Sequence, residues 1–282
     1  MFSKLVDIKL NLFHRWPNKM SPLIIKSRDS ATFKRLKKIY SSKSYRLEVG
    51  KTILDGPHLV NTCCDNGMEI AEFILDASIK TDENNRLLTK YPKKKLYILS
   101  HELFCALSDL DSVNGLMAII DIPSHPYYSN GVGLHLLLDD IQDPGNLGAI
   151  LRTHAAAGNK FVFLSKGCCD LWSPKVIRGS QGTQFSLICY QQEDLALLID
   201  RLEFSVFSLG MQGESVLNRK FDQNIAFILG NEGRGISSTL LKKSDQMLSI
   251  PMIKNVESLN VGVAASIVIY EHARQFLFQQ SL

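Results

Sequence analysis

Long apolar runs are missing from this chain of 282 residues: none approaches the ~18 uninterrupted apolar positions that a membrane-crossing helix needs, which excludes a helical membrane span. No G-x-x-x-x-G-K-[ST] occurs, so a P-loop is excluded, and "GVGLHL" at 131 lacks the third glycine and the preceding strand of a dinucleotide fingerprint. There is no H-E-x-x-H and no serine in a nucleophile elbow. The six cysteines, among them the adjacent pairs Cys63-Cys64 and Cys168-Cys169, form no C-x-x-C ladder and have no histidines at zinc spacing, so no metal is expected. Reduced thiols in a cytosol-like compartment are the economical reading. The first 25 residues lack the continuous apolar core of a secretory leader, being interrupted by Asp7 and Pro17. A cytoplasmic protein is therefore expected, with an organellar transit peptide, and hence an organellar matrix, as the alternative.

What is present is an ordinary globular composition, 45% hydrophobic and 21% charged, over a length that suits two domains. The net charge of +4 conceals a strong asymmetry. Residues 1–50 hold 12 Lys and Arg against 3 Asp and Glu, whereas the remainder holds 20 against 25. A basic amino end suits a polyanionic partner, and "TFKRLKKIYSSKSYR" (32–46) points to RNA or DNA through Lys34, Arg35, Lys37, Lys38 and Arg46, with a solvated basic face as the plain alternative.

Hydrophobic periodicity divides the chain. From 29 to 121, "SATFKRLKKIY" and "HELFCALSDL" read as helices and "EIAEFILD", "KLYILS" and "GLMAIID" as strands, a small α/β unit. The Pro, Ser, Asn and Gly of "IPSHPYYSNGVG" (122–133) read as a linker. From 134 to 282 near-continuous apolar strands alternate with helices: "LHLLLDD", "KFVFLS", "FSLICY", "FSVFSLG", "NIAFILG" and "QMLSIP" are strands, and "SLNVGVAASIVIYEHARQFLF" is a long final helix. That pattern predicts a mostly parallel sheet covered on both faces, with ligands at the carboxyl ends of its strands. The expected organisation is a basic extension 1–28, a front domain 29–121, the linker, and a larger α/β domain 134–282.

Three segments carry unusual chemistry just after a strand. In "DPGN" (143–146), Pro144 and Gly145 suit the centre of a tight turn and Asn146 a helix N-cap. Arg152 then falls near the helix's amino end, where a cation opposes the dipole, so an anionic partner or a salt bridge to Asp139 or Asp140 is expected. "FILGNEGRGIS" (227–237) ends a strand in three glycines flanking Asn231 and Glu232, and Arg234 is free to pair with Glu232 or to touch phosphate. "LSIPMIKNVESLNVGVAAS" (248–266) places Ser258 as a candidate N-cap, and the slim stretch Gly262, Ala264, Ala265 and Ser266 admits another backbone, from this subunit or a second.

Taken together, "LLLDDIQDPGNLGAILRTHAAAG", "FILGNEGRGIS" and "LSIPMIKNVESLNVGVAASIVIYE" resemble, in order and spacing, the three motifs of the SpoU (TrmH-type) RNA 2′-O-ribose methyltransferases of the SPOUT superfamily, over roughly 134–275. More weakly, 29–121 resembles the ribosomal-protein-like substrate-binding domain that often precedes the catalytic domain. The resemblance implies a deep trefoil knot in the carboxyl-terminal domain, S-adenosylmethionine bound there in a bent shape, and catalysis across a homodimer. Carried over, Asn146 and Arg152 match the first motif's polar pair, Asn231 and Glu232 the second, and Ser258 and Asn260 the third. Leu209, Gly210, Gly230, Asn231, Ile250, Met252 and Leu259 fall where the family's cofactor loops run. "VIRGSQGTQF" and "NGLMAII" depart slightly from the family's pattern and bear on substrate identity, not on reaction type.

The implied reaction is methyl transfer to a ribose 2′-hydroxyl of structured RNA, with ribosomal RNA preferred because a front domain is present. The alternatives are a tRNA ribose methyltransferase and a non-catalytic RNA-binding ribosome-assembly protein on the same fold. A neutral hydroxyl is a poor nucleophile that must be aligned and stabilised as it becomes an alkoxide. Arg152 suits that orienting and electrostatic role, since a guanidinium with a pKa above ~12 rarely releases its proton. Proton loss then falls to phosphate, water or Glu232. Asn146 and Asn260 are expected to position the ribose or hold the loops, and Ser258 to order the cofactor loop.

Overall fold

The structure, a computed structural model, describes residues 22–79, 81–126, 128, 131–253 and 257–276. Residues 1–21 of the expected basic extension lie outside these. Two units separate after Pro123, with the short stretch Trp172–Pro174 counting with the first.

In the first unit the order is β1 (Leu23–Ile25), α1 (Ala31–Ser41), α2 (Lys43–Val49), β2 (Lys51–Asp55), α3 (Pro57–Asp65), β3 (Ile70–Asp76), α4 (Asp82–Lys90), β4 (Lys95–Leu99), α5 (His101–Leu107) and β5 (Leu116–Asp121). Ser30 opens α1 by accepting from the Phe33 amide, and Phe33, Leu36, Ile39 and Tyr40 recur at helical spacing on its buried face. The sheet order is β1-β4-β3-β5-β2; β5 runs antiparallel to both neighbours, and the other pairs are parallel. Ile53, Ile74, Tyr97, Met117 and Ile119 meet α1 and α5 in one apolar core. Three of the helices, α2, α3 and α4, have no counterpart in the periodicity of the sequence. They are only seven to nine residues long, and α4 buries just Asn84, Leu87 and Leu88, too few for a repeating stripe.

The second unit runs β6 (Leu134–Leu138), α6 (Pro144–Ala156), β7 (Phe161–Ser165), α7 (Pro174–Gly179), β8 (Ile188–Glu193), α8 (Leu195–Ile199), β9 (Val206–Gly210), β10 (Glu214–Ser215), β11 (Ile225–Leu229), α9 (Ser238–Lys243), β12 (Gln246–Ser249) and α10 (Val261–Phe276). Its sheet, β10-β12-β9-β11-β6-β7-β8, is parallel throughout. Every residue of β6 and β11 is buried, as strands covered on both faces require. Each such leucine or isoleucine contributes about 1.5–3 kcal/mol over an exposed one.

Several boundaries differ from the sequence expectation. The stretch "FSL" does not open a strand: Thr183–Phe185 forms a 3₁₀ turn, and β8 begins at Ile188. Pro144 and Gly145 are not the centre of a free turn but belong to the first turn of α6, which Asp143 rather than Asn146 caps by accepting from the Asn146 amide at 2.7 Å. Proline at the first helical position loses no hydrogen bond there. Arg152 consequently lies past the middle of α6, where the dipole no longer opposes a cation. Helix α10 starts at Val261, and its cap acceptor is Asn260, not Ser258: the Asn260 Oδ1 accepts from the Gly262 and Val263 amides at 2.9 and 3.3 Å.

The slim stretch of α10 is used within this subunit. Gly262 lies over Ala149 of α6, a Cβ built there meeting the alanine methyl at 3.6 Å, and the Thr153 and Ser266 hydroxyls are 3.3 Å apart. Two histidines are fully buried, His135 on the interior strand β6 and His154 on α6. His154 Nε2 donates to the Phe161 carbonyl at 3.1 Å, and the ring of His135 stacks on Phe161 with centroids 4.7 Å apart. Burial lowers His154 to about 3 and His135 to about 4. All six cysteines are free, and burial pushes Cys63 and Cys189 up to about 12. Among the described residues no helix is long and apolar enough to cross a membrane.

Candidate active site

The carboxyl ends of β9, β11 and β12 surround a cavity of about 720 Å³. Strand β11 delivers the chain into Gly230, Asn231 and Glu232. Gly230 has no room for a side chain, because a Cβ there would come within 2.4 Å of the Gly235 carbonyl carbon and the Ile236 nitrogen. Asn231 and Gly235 exchange backbone hydrogen bonds of 3.1 and 2.9 Å, and the Asn231 Oδ1 accepts from the Gly233 and Arg234 amides, both at 2.9 Å. The loop is thus closed on itself.

All seven residues matched to the cofactor loops, Leu209, Gly210, Gly230, Asn231, Ile250, Met252 and Leu259, line this cavity, as do Glu232, Ser258 and Asn260. Arg234, expected to pair with Glu232 or to touch phosphate, lines it too, as do Met211, Ile236 and Glu257, which the motifs did not single out. The Arg234 guanidinium pairs with Asp140 at 2.7 Å rather than with Glu232. Asp140 also receives the Asn231 amide on its carbonyl oxygen at 2.9 Å and holds a left-handed φ of 60°. Asp139 accepts from the Ser237 amide at 2.9 Å. Both carboxylates suggested as partners for Arg152 are therefore engaged elsewhere.

A hydrogen-bonded chain ties the three sequence segments together. From the first turn of α6, Asn146 donates its amide to Glu232 Oε1 at 2.8 Å and accepts from the Asn260 amide at 2.9 Å. Asn260 in turn accepts from the start of α10. A carboxylate only accepts, so the orientation of each amide follows from its neighbour. Such an arrangement polarises every bond toward Glu232. Ser258 is exposed and makes no hydrogen bond among the described residues.

Arg152 does not line the cavity. Six residues beyond Asn146, it lies roughly 9 Å further along α6 and about 120° around it, exposed and without an ion pair among the described residues. Within one chain the expected guanidinium is therefore separate from the pocket.

The basic set of the first unit is more occupied than the sequence implied. Arg46 is buried, and its guanidinium donates to the Ile39 and Tyr40 carbonyls at 2.7 Å each, so it is removed as an RNA contact. Arg35 is held by Glu72 at 2.6 Å and by the Tyr97 hydroxyl at 3.3 Å. Lys37 donates to the Leu107 carbonyl at 3.1 Å. Lys34 and Lys38 remain exposed, Lys34 in a 3.5 Å pair with the exposed Asp29.

Compared with known proteins, residues 133–270 match the family described as the SpoU rRNA Methylase family. The chain is 29% identical over 252 residues to the 23S rRNA (guanosine(2553)-2′-O)-methyltransferase RlmP of Bacillus subtilis, covering 87% of this chain and 97% of that enzyme. The fold matches the SpoU methyltransferase AviRb from Streptomyces viridochromogenes, solved in complex with AdoMet, with a TM-score of 0.81 at 23% identity, over 87% of this chain and 98% of that one. A crystal structure described as an RNA 2′-O ribose methyltransferase matches with a TM-score of 0.75 at 25% identity, over 90% of this chain and all of that one, 100%.

Proposed function

We propose, from the match of residues 133–270 to the SpoU rRNA Methylase family, that this chain transfers a methyl group from S-adenosylmethionine to the 2′-hydroxyl of a ribose in structured RNA, ribosomal before transfer RNA. The observation that carries this reading is the Asn260–Asn146–Glu232 chain, which ties the first motif segment to the two, 227–237 and 248–266, whose residues line the cavity. The cavity suits the methyl donor in size and chemistry: about 720 Å³ falls in the range of small-molecule sites, and Leu209, Ile250, Met252 and Leu259 supply an apolar wall for the adenine.

S-adenosylmethionine, when bound, supplies a methyl group on a cationic sulfur. In the transfer the C–S bond breaks as the C–O bond forms, the electron pair leaves with sulfur as S-adenosylhomocysteine, and the hydroxyl proton passes to solvent, an RNA phosphate or Glu232. Glu232 is available for that proton on its second oxygen, its first being taken by Asn146. Arg152 grips the phosphate beside the target ribose and stabilises the developing alkoxide. Its position away from its own cavity is accounted for by a homodimer in which each Arg152 serves the partner's pocket. A trefoil knot in the carboxyl-terminal domain belongs to the same reading. The ribosomal-protein-like first unit binds the folded RNA, with Lys34 and Lys38 on its exposed face. The enzyme acts in the cytoplasm or in an organellar matrix.

The test is incorporation of tritiated methyl from S-adenosylmethionine into rRNA and tRNA, with the product mapped as a 2′-O-methyl nucleotide. Label in rRNA is expected. Label in tRNA alone replaces the substrate, and donor binding by calorimetry with no label in either RNA replaces the enzyme by an RNA-binding assembly protein.

A further inference from the structure

The first unit contains a second basic run that its α1 helix obscures in the sequence. Residues 86–95 carry Arg86, Lys90, Lys93, Lys94 and Lys95 and no carboxylate. On α4, Arg86 and Lys90 stand one turn apart on the face opposite the buried Asn84, Leu87 and Leu88. Like charges at that spacing repel on a helix, so folding alone does not favour them. Arg86 and Lys93 are exposed and have no ion pair among the described residues. Lys94 meets only Glu69, at 3.2 Å and with the glutamate 89% exposed, a pair that solvent screens almost completely. Asp82 and Glu83 in the first turn of α4 form no ion pair with Arg86 among the described residues, Glu83 accepting instead from Asn61 at 2.9 Å, and Glu72 is paired with Arg35 at 2.6 Å, which with Tyr97 and Lys95 holds it below its usual range.

The contrast with α1 is decisive. There Arg35 and Lys37 are engaged, and Arg46 of the following helix α2 is buried, whereas the cations of 86–95 stand on α4 and on the turn that leads into β4, where Lys94 has only the exposed Glu69. Tyr91 interrupts the run, half-buried beside Phe73 with ring centroids 6.2 Å apart and Lys90 5.5 Å over its ring. Basic side chains interleaved with an aromatic are the pattern of a single-strand or loop-binding RNA surface.

We propose that Arg86, Lys90 and Lys93 form the principal phosphate track of the first unit, on which the RNA substrate lies. This rests on the reading of the protein as an RNA enzyme and assigns the contact to a surface other than α1.

The experiment uses the full chain with Arg86→Gln, Lys90→Ala and Lys93→Ala combined, and Lys34→Ala with Lys38→Ala as the comparator. Binding of an rRNA transcript is measured by anisotropy across a salt series, and methyl transfer is measured separately. Each lost phosphate contact lowers the salt slope by about 0.7 to 0.9, so the triple variant is expected to lose roughly 2 to 3 from the slope and at least about tenfold in affinity, with donor binding unchanged. The comparator is expected to lose less. A triple variant that keeps the wild-type slope, or a comparator that loses the larger share, overturns the proposal. The loss in binding without any methyl transfer by the wild type leaves the surface standing and removes the catalytic reading instead.

Discussion

The side-chain amide of Asn146 donates to the Glu232 carboxylate at 2.8 Å although 86 residues separate them. That bond is set in direction by the next one, from Asn260 to Asn146 at 2.9 Å. Asn260 thus has two separable tasks, capping α10 with its oxygen and orienting Asn146 with its nitrogen. Asn260→Asp keeps the cap and loses the donor, so it is expected to cut kcat by roughly 10- to 100-fold while the melting temperature stays within about 2 °C. Asn260→Ala loses both and is expected to cost about 1 kcal/mol more in stability. Wild-type turnover in the aspartate variant would show that Asn146 needs no such partner.

Arg152 stands apart from the pocket of its own chain. Arg152→Ala and Arg152→Lys are both expected to bind the methyl donor normally and to be almost inactive, because a lysine offers a point charge in place of the planar fork. Co-expression of Arg152→Ala with a variant that cannot bind the donor is expected to restore roughly a quarter of wild-type activity, as half the dimers then hold one complete site of two. Silence in a verified mixed dimer would return Arg152 to its own pocket.

Gly230 supplies such a donor-blind variant. Its added methyl would sit 2.4 Å from backbone atoms of Gly235 and Ile236, which cannot rotate away. Gly230→Ala is expected to weaken donor binding by at least about tenfold in calorimetry, with the sheet's melting shifted by the roughly 1–3 kcal/mol typical of overpacking. Unchanged affinity would mean that the closed 231–235 loop does not shape the cavity.

The buried histidines set the response to acid. In the unfolded chain a histidine titrates near 6.5, whereas His135 and His154 titrate at about 4 and about 3 in the folded protein. Between those values the unfolded state binds more protons, so stability falls as the pH is lowered from about 6.5 toward 4, by about 1.4 kcal/mol per pH unit for each histidine. His154 has no partner on Nδ1 that would accommodate a second proton. Thermal melts from pH 7.5 to 4.5 check this, and a flat profile below 6.5 would contradict the burial of both rings.

Much of the second unit was readable because its central strands are apolar and its first and last helices long: "LHLLLDD" and "NIAFILG" announce β6 and β11 almost to the residue. The helix ends were harder. Asp143 and Asn146 are both good caps three residues apart, and only the position of Pro144 at the first helical residue decides between them. Ser258 and Asn260 posed the same ambiguity. The occupancy of the basic set was not legible at all, since Arg35 and Arg46 are spent on Glu72 and on backbone carbonyls that become neighbours only after folding. Pocket membership read well because glycines and apolar residues directly after strands end at one rim of a parallel sheet.

In the second unit the order of strands in space is far from their order in the chain, and α10, Val261–Phe276, is the element that lies against α6. A chain still being synthesised and ending before Asn260 already has strands β6 to β12, yet Asn146 lacks the amide that orients it. Unfinished molecules are therefore chemically mute, and the methyl donor stabilises only the completed product, because binding shifts a folding equilibrium solely toward states that possess the site. Assembly governed by such distant pairings is slow, so a nascent chain must survive an interval with no help from its own ligand.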